Sequence, residues 1–203
     1  IGSRISGRIT GGNPGSFARA AKKYVVDIDE ASLQRKWQQV PSDVNIYCDA
    51  GVFLERLRLK LEGAAVKDFS SWVEKVSEWR QRYDPVRPEY YEESEYVNPY
   101  AFVRILSEEM ASDDIYVADC GGNIVISSQA FQTKQGQRFL TNNGNSPMGF
   151  AFAGAIGACI AAPDRKVVCV IGDGGFNMNL QELQTVRNYG VKLKTFIMNN
   201  HIY

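Results

Sequence analysis

The sequence predicts an α/β protein built from parallel sheets flanked by helices, on three observations. Strand-like and helix-like stretches alternate from Ile115 to Met198, the pattern of a parallel sheet with helices on its faces. One of these strands, Val167 to Ile171, is an unbroken apolar run rich in β-branched residues, as a strand buried on both faces requires. That strand leads straight into a glycine-rich turn, Gly172-Asp-Gly-Gly175.

The elements follow in order. The first twelve residues are glycine-rich, and Phe17 to Lys22 reads as helix-like. Tyr24 to Asp29 and Val44 to Cys48 read as short strands. Val52 to Leu61 has apolar residues at helical spacing. Asp68 to Tyr83 is helical, with Trp72, Val76 and Trp79 on one face and best read as packing. Asp84 to Val97 is rich in Pro, Tyr and Glu and reads as a linker. Asn98-Pro99 makes a helix start, an acceptor followed by a residue with no amide to satisfy, and the helix runs to about Ala111. Then come a strand (Ile115 to Ala118), a helix from Ile124, a strand (Arg138 to Leu140) and a small-residue helix (Gly149 to Ala161). After Val167 to Ile171, Phe176 to Asn188 is amphipathic, with Leu180, Leu183 and Val186 on one side. Gly190 stops that helix, and Leu193 to Met198 is the last strand. The expected domains are 1–62, the tail of one α/β domain; 63–97, a helical connection and linker; and 98–203, a second α/β domain.

Composition narrows the function classes. Of 203 residues, 44% are hydrophobic and 23% charged, ordinary for a globular protein. The 23 basic and 23 acidic residues cancel, so no basic excess points to nucleic acid. No apolar run is long enough to suggest a membrane span, and no signal peptide opens the chain. The four cysteines lack metal-ligand spacing, and Cys159 and Cys169 lie in apolar runs. A cytoplasmic protein is the expectation. The chain opens on Ile1 and stops at Tyr203 just after a strand-like run, so its ends read as cut.

The chemistry concentrates at strand ends. In open parallel sheets, ligands bind beyond the carboxyl ends of strands. Gly172, Gly174 and Gly175 let backbone approach a ligand, and the helix that follows favours phosphate at its start. Asp173 alone would repel phosphate. A divalent cation bridging carboxylate and phosphate resolves that conflict, and magnesium suits such hard oxygen ligands. Asn199-Asn200 ends the next strand. If the strands are neighbours, Asn200 can offer an amide oxygen to the same ion, and the carbonyl of Ile202 can complete the set.

The stretch Gly172-Asp-Gly-Gly-Phe-Asn-Met-Asn-Leu-Gln-Glu-Leu183, followed by Phe196-Ile-Met-Asn-Asn200, resembles the signature of thiamine-diphosphate-dependent enzymes, and its wording is most similar to the acetolactate synthase group. The resemblance implies thiamine diphosphate and Mg2+ as cofactors. It implies a thiamine-diphosphate-binding fold, cut at its C-terminus, preceded by the tail of a Rossmann-like central domain. Asp119-Cys-Gly-Gly-Asn123 resembles the turn that begins the family's pyrophosphate domain, so Gly121, Gly122 and Asn123 join the expected cofactor contacts. Asn143-Gly-Asn-Ser-Pro-Met-Gly149 resembles the loop around the cofactor's aminopyrimidine ring. By that likeness Met148 is the apolar wedge that bends the cofactor, and the backbone of Ser146 faces the ring's amine. Gly2-Ser-Arg-Ile5, Arg8-Ile-Thr-Gly11 and Val25 to Asp29 resemble the family's central domain, which holds FAD in acetolactate synthases. The Asp-Asp pair often found there is Ser6-Gly7 here, which argues against FAD.

The implied reaction is decarboxylation or carboligation of a 2-oxo acid such as pyruvate, in a homodimer or homotetramer joined through the pyrophosphate- and pyrimidine-binding domains. The family's catalytic glutamate lies in an N-terminal domain, and no glutamate here matches it by context. The chain by itself is therefore expected not to catalyse. Other readings stand beside these. Asp173 fits a plain Asp-Gly turn, Met148 fits core filler, and the single histidine, His201, is most simply incidental. Arg4 and Arg8 read as surface residues. A Rossmann-type dinucleotide site wants a third glycine where Asn177 stands and an acidic residue where Asn199-Asn200 stands. A non-catalytic cofactor-binding relic is the remaining alternative.

Overall fold

The computed structural model describes residues 1–3, 5, 7–34, 40–65, 67–92 and 94–201, with Arg8 by its backbone only. The chain forms two compact units, residues 1–71 and 72–203. The first holds a short helix α1 (Gly7–Thr10), strands β1 (Tyr24–Asp27) and β2 (Val44–Tyr47), and helix α2 (Ala50–Leu61). β1 and β2 pair in parallel, Tyr24 opposite Val44 and Asp27 opposite Tyr47. Asp49 starts α2 by accepting the amide of Val52 at 3.0 Å. Phe17 to Lys22, expected to be helix-like, forms turns instead, after a 3-10 turn at Pro14–Ser16. The stretch Phe17-Ala-Arg-Ala-Ala-Lys22 has helix formers but only one large apolar residue, so nothing anchors a helix to a core.

Helix α3 (Ser70–Arg82) leads into the second unit. Trp72 and Trp79 meet edge to face at 5.6 Å between ring centres, and both stay exposed. The Pro-, Tyr- and Glu-rich segment after α3 contains a 3-10 turn at Pro88–Tyr91 and places Val86 in the core. Asn98 caps α4 (Pro99–Glu109) by accepting the amides of Tyr100 and Ala101.

The sheet of this unit contains β3 (Ile115–Ala118), β4 (Arg138–Leu140), β5 (Val167–Gly172) and β6 (Leu193–Met198), all parallel, in the order β4-β3-β5-β6. Alternate side chains of β3 and β5 feed two cores. Tyr116, Ala118, Val168 and Val170 pack with Val103 of α4 and with Ile124 and Ala130 of α5 (Gly122–Ala130). Ile115, Val117, Val167, Cys169 and Ile171 pack with Ala151, Phe152, Ala155 and Ile156 of α6 (Phe150–Ala161). β5 is thus buried on both faces, as its apolar run requires.

After β5 come α7 (Asp173–Met178) and α8 (Glu182–Tyr189). The sequence predicts one helix from Phe176 to Asn188; the structure breaks it at Asn179. The apolar spacing continues across the break, but the Asn179 side chain donates to the carbonyl of Gly149 at 2.8 Å and ends the first segment. Gly190 closes α8 in a left-handed conformation, its amide bonded to the carbonyls of Val186 and Arg187. No helix among the described residues is long and apolar enough to cross a membrane.

Candidate active site

The strand order decides where a ligand can enter. The chain leaves β3 through α5 to reach β4 on one side, then returns through α6 to β5 on the other. The helices α5 and α6 lie on opposite faces, so a crevice opens between the carboxyl ends of β3 and β5. The register brings β6 to the same edge, with Gly172 opposite Met198. A cleft of about 850 Å³ lies there, lined by residues just past all three strands.

Most of the expected site residues converge on this cleft. From the end of β3 come Gly121, Gly122 and Asn123; from β5 come Gly172, Asp173, Gly174 and Gly175. From β6 come Asn199, Asn200 and His201, and Met148 lines the cleft while remaining 40% exposed. Asn199 Oδ1 accepts the amide of His201 at 3.0 Å, a tight turn that carries Asn200 past the strand end. Ser146 is not among the residues lining the cleft; its backbone is left-handed, with φ 52°, and its amide bonds the carbonyl of Asn142 at 2.9 Å. Ile202, expected to offer a carbonyl, lies outside the described residues, as does Arg4.

One residue that the sequence reading passed over is central. Asp119, directly after β3, is only 2% exposed. Its Oδ2 accepts the amide of Gly149 at 3.2 Å and its Oδ1 that of Ala151 at 3.0 Å, which satisfies the start of α6. Gly175 of α7 packs directly on it: a Cβ there would sit 2.2 Å from Oδ2. Gly175 is therefore glycine because of Asp119, whatever the ligand. The sequence signal was an aspartate at a strand end with no amide partner nearby in the chain.

The donor set fits a diphosphate held through a cation. The cleft floor is glycine at 121, 122, 174 and 175, and nothing lies within 4 Å of the Cβ positions at Gly121 and Gly122. Among the described residues lining it there is no lysine or arginine. It presents Asp119, whose oxygens are engaged, and Asp173. A bare polyanion would meet net repulsion, which a hard cation reverses. No cluster of three His, Cys, Asp or Glu side chains able to hold a metal occurs among the described residues. One carboxylate plus neutral oxygens suits magnesium that arrives with phosphate ligands, since magnesium keeps several waters and shares substrate oxygens.

Residues 119–203 match the family described as the thiamine pyrophosphate enzyme, C-terminal TPP binding domain. This stretch belongs to the thiamine pyrophosphate enzymes. The match begins at the buried Asp119 and covers every element that lines the cleft from β3 onward. Over 99% of its length the chain is 32% identical to the acetolactate synthase large subunit of Lactococcus lactis subsp. lactis, covering 33% of that protein. It is 36% identical over 98% of its length to a probable acetolactate synthase large subunit of Methanococcus aeolicus, covering 35% of it. It is 31% identical over 98% of its length to acetolactate synthase 1, chloroplastic, of Zea mays, covering 31% of it. The chain thus spans about a third of the length of these curated relatives.

Proposed function

We propose that the cleft beyond β3, β5 and β6 binds the diphosphate of thiamine diphosphate through Mg2+, and that the protein is a decarboxylase or carboligase for a 2-oxo acid such as pyruvate. The carrying observation is that Asp173 and Asn200 line one cleft over a glycine floor, with no lysine or arginine among the described residues lining it. Asp173 and Asn200 would ligate the ion, with the carbonyl of Ile202 as the proposed third protein ligand. Gly121, Gly122, Asn123, Gly172, Gly174 and Gly175 would meet the diphosphate with backbone and the Asn123 amide. Met148 gives the cofactor's rings an apolar rim, and the backbone of Ser146 is proposed to face the pyrimidine amine.

Thiamine diphosphate supplies, when bound, an electron sink for decarboxylation of a 2-oxo acid. The chain's residues bind and orient. Asp173 places one negative charge where a cation must sit, and the buried faces of β3 and β5 hold that carboxylate against a rigid sheet. Residues 1–62 are proposed as the end of a central α/β domain, 63–97 as a connection and 98–203 as the pyrophosphate-binding domain. Exposed Met178, Leu180 and Leu183 support an oligomer that covers apolar surface near the site. Four unpaired cysteines favour a reducing, cytoplasmic setting.

The test is calorimetric titration of the full-length protein with thiamine diphosphate, with and without Mg2+, followed by assay of carbon dioxide release from pyruvate. Magnesium-dependent binding and turnover are expected. Binding that ignores magnesium would overturn the metal role, and no turnover would overturn the substrate class. The 203-residue chain alone is expected to release no carbon dioxide, because none of its glutamates matches by context the one that the family resemblance implies.

A further inference from the structure

We infer that Asp119 is a positioning residue of the cofactor site: its buried carboxylate ties the start of α6 to α7, and so fixes how far Met148 stands from the turn that carries Asp173. The inference rests on the reading of the cleft as a thiamine diphosphate site and deepens it.

Three elements converge on this carboxylate. It sits at the end of β3, its amide bonded to the carbonyl of Val170 in β5 at 3.0 Å. Its two oxygens take separate amides, of Gly149 and Ala151, at 3.2 and 3.0 Å. Among the described ion pairs none involves Asp119; its carboxylate is met by the two amides at the start of α6 and, at 3.8 Å from Oδ2, by the Cys120 thiol. Gly175 closes the third side, with room for no Cβ.

Gly149 shows how tight the joint is. It follows Met148 and has φ 86°; a Cβ there would lie 2.7 Å from Asn179 Nδ2 and 3.0 Å from the carbonyl oxygen of Gly175. Its amide goes to Asp119 and its carbonyl accepts from Asn179. The loop bearing Met148 is therefore clamped at one residue, from β3 on one side and from the end of α7 on the other. Met148 and Asp173 belong to separate crossovers, and this joint sets their separation. A ligand that spans both, with apolar rings at one end and a diphosphate at the other, feels that separation. A ligand that is only a diphosphate does not.

That contrast gives the experiment. Calorimetry on the full-length protein in Mg2+ compares thiamine diphosphate with inorganic pyrophosphate. Asp119→Asn keeps the shape but turns an NH2 toward one of the two amides. It should raise the Kd for thiamine diphosphate about tenfold, the effect of one lost charge-assisted hydrogen bond. The Kd for pyrophosphate should stay within about twofold. Gly175→Ala, at a residue proposed to meet the diphosphate, should weaken both ligands, and thiamine diphosphate the more, because a Cβ there also pushes the Asp119 carboxylate aside. In an Asp119→Ala background Gly175→Ala should shift the ratio of the two affinities no further, because the closest collision, at 2.2 Å, is gone and only the Ile171 side chain at 3.2 Å remains. Asn179→Ala, which loosens the other side of the clamp without touching the buried charge, should shift the same ratio in the same direction. Equal weakening of both ligands in every variant would make Asp119 structural only and overturn the inference. So would an unchanged Kd for thiamine diphosphate in Asp119→Asn. Failure of the unaltered protein to bind thiamine diphosphate would instead overturn the functional reading, and the inference with it.

Discussion

Asp84 and Arg104 form a two-point ion pair, Oδ1 to Nη2 at 3.0 Å and Oδ2 to Nη1 at 3.3 Å. The pair joins the segment after α3 to α4, and Arg104 Nε also donates to the carbonyl of Ala130 at the end of α5. The Val86 amide first, and then Arg104, hold the Asp84 carboxyl below its ordinary range. Its contribution to stability is therefore present above the unfolded carboxyl value, near pH 4, and is lost as pH falls through the lower folded value. Solvent reaches 40% of the Asp84 side chain, so screening keeps the pair below about 1 kcal/mol. Asp84→Asn should lower the midpoint of thermal unfolding at pH 7, and the difference from the parent should shrink progressively as pH falls below the ordinary carboxylate range. Equal midpoints at pH 7 would show that the pair contributes nothing.

Among the described residues lining the cleft, Asp173 is the carboxylate whose oxygens are not spent on the start of α6. Asp173→Ala should weaken magnesium-dependent binding of thiamine diphosphate by about a hundredfold or more. Magnesium titrated alone should show no comparable site, since one carboxylate with neutral oxygens cannot hold it without phosphate. Tight magnesium binding in the absence of diphosphate would contradict this account.

Met148 lines the cleft yet remains 40% exposed, so it contributes little to the core. Met148→Ala should leave the unfolding midpoint nearly unchanged, within about 0.5 kcal/mol. It should weaken thiamine diphosphate about tenfold through lost apolar contact. A large loss of stability with unchanged affinity would return Met148 to the role of packing.

Cys169 lies in β5 with no exposure, and burial first, with Asp119 and Cys159 nearby, pushes its thiol up to about 12. It should therefore resist alkylation at pH 8 in the folded protein and react only in denaturant. Cys48, Cys120 and Cys159 are half-buried and should react earlier. Mass spectrometry of labelled peptides reads the order, and early labelling of Cys169 would mean that β5 opens locally.

Much of the second unit was legible because its signals are local. β3, β4 and β6 carry their own apolar or β-branched runs, Asn98-Pro99 spells a helix start, and Gly190 spells a stop. The glycine-rich turn and Asn199-Asn200 were legible as a pair because one helix and one strand separate them. What escaped is tertiary. The break at Asn179 is set by a carbonyl thirty residues away, while Phe176, Leu180 and Leu183 keep the helical period across it. The role of Asp119 escaped for the same reason: the amides it holds lie beyond β4. Strand order, too, is invisible in any single segment, since nothing within β5 says that it will lie beside β3 and not β4.

That placement of β5 also governs when the site comes into being. Each neighbour pairing at the cleft joins strands separated by at least a full helix, and β3 meets β5 only after β4 and two helices have been traversed. Such closures cost chain entropy before any contact rewards them, so they form late and slowly. A ligand that recognises only the finished cleft has no hold on the rate-limiting encounter. Refolding should run at one speed with or without thiamine diphosphate, while the bound protein should unfold more slowly. The cofactor is then a brake on departure from the native state and not a template for reaching it.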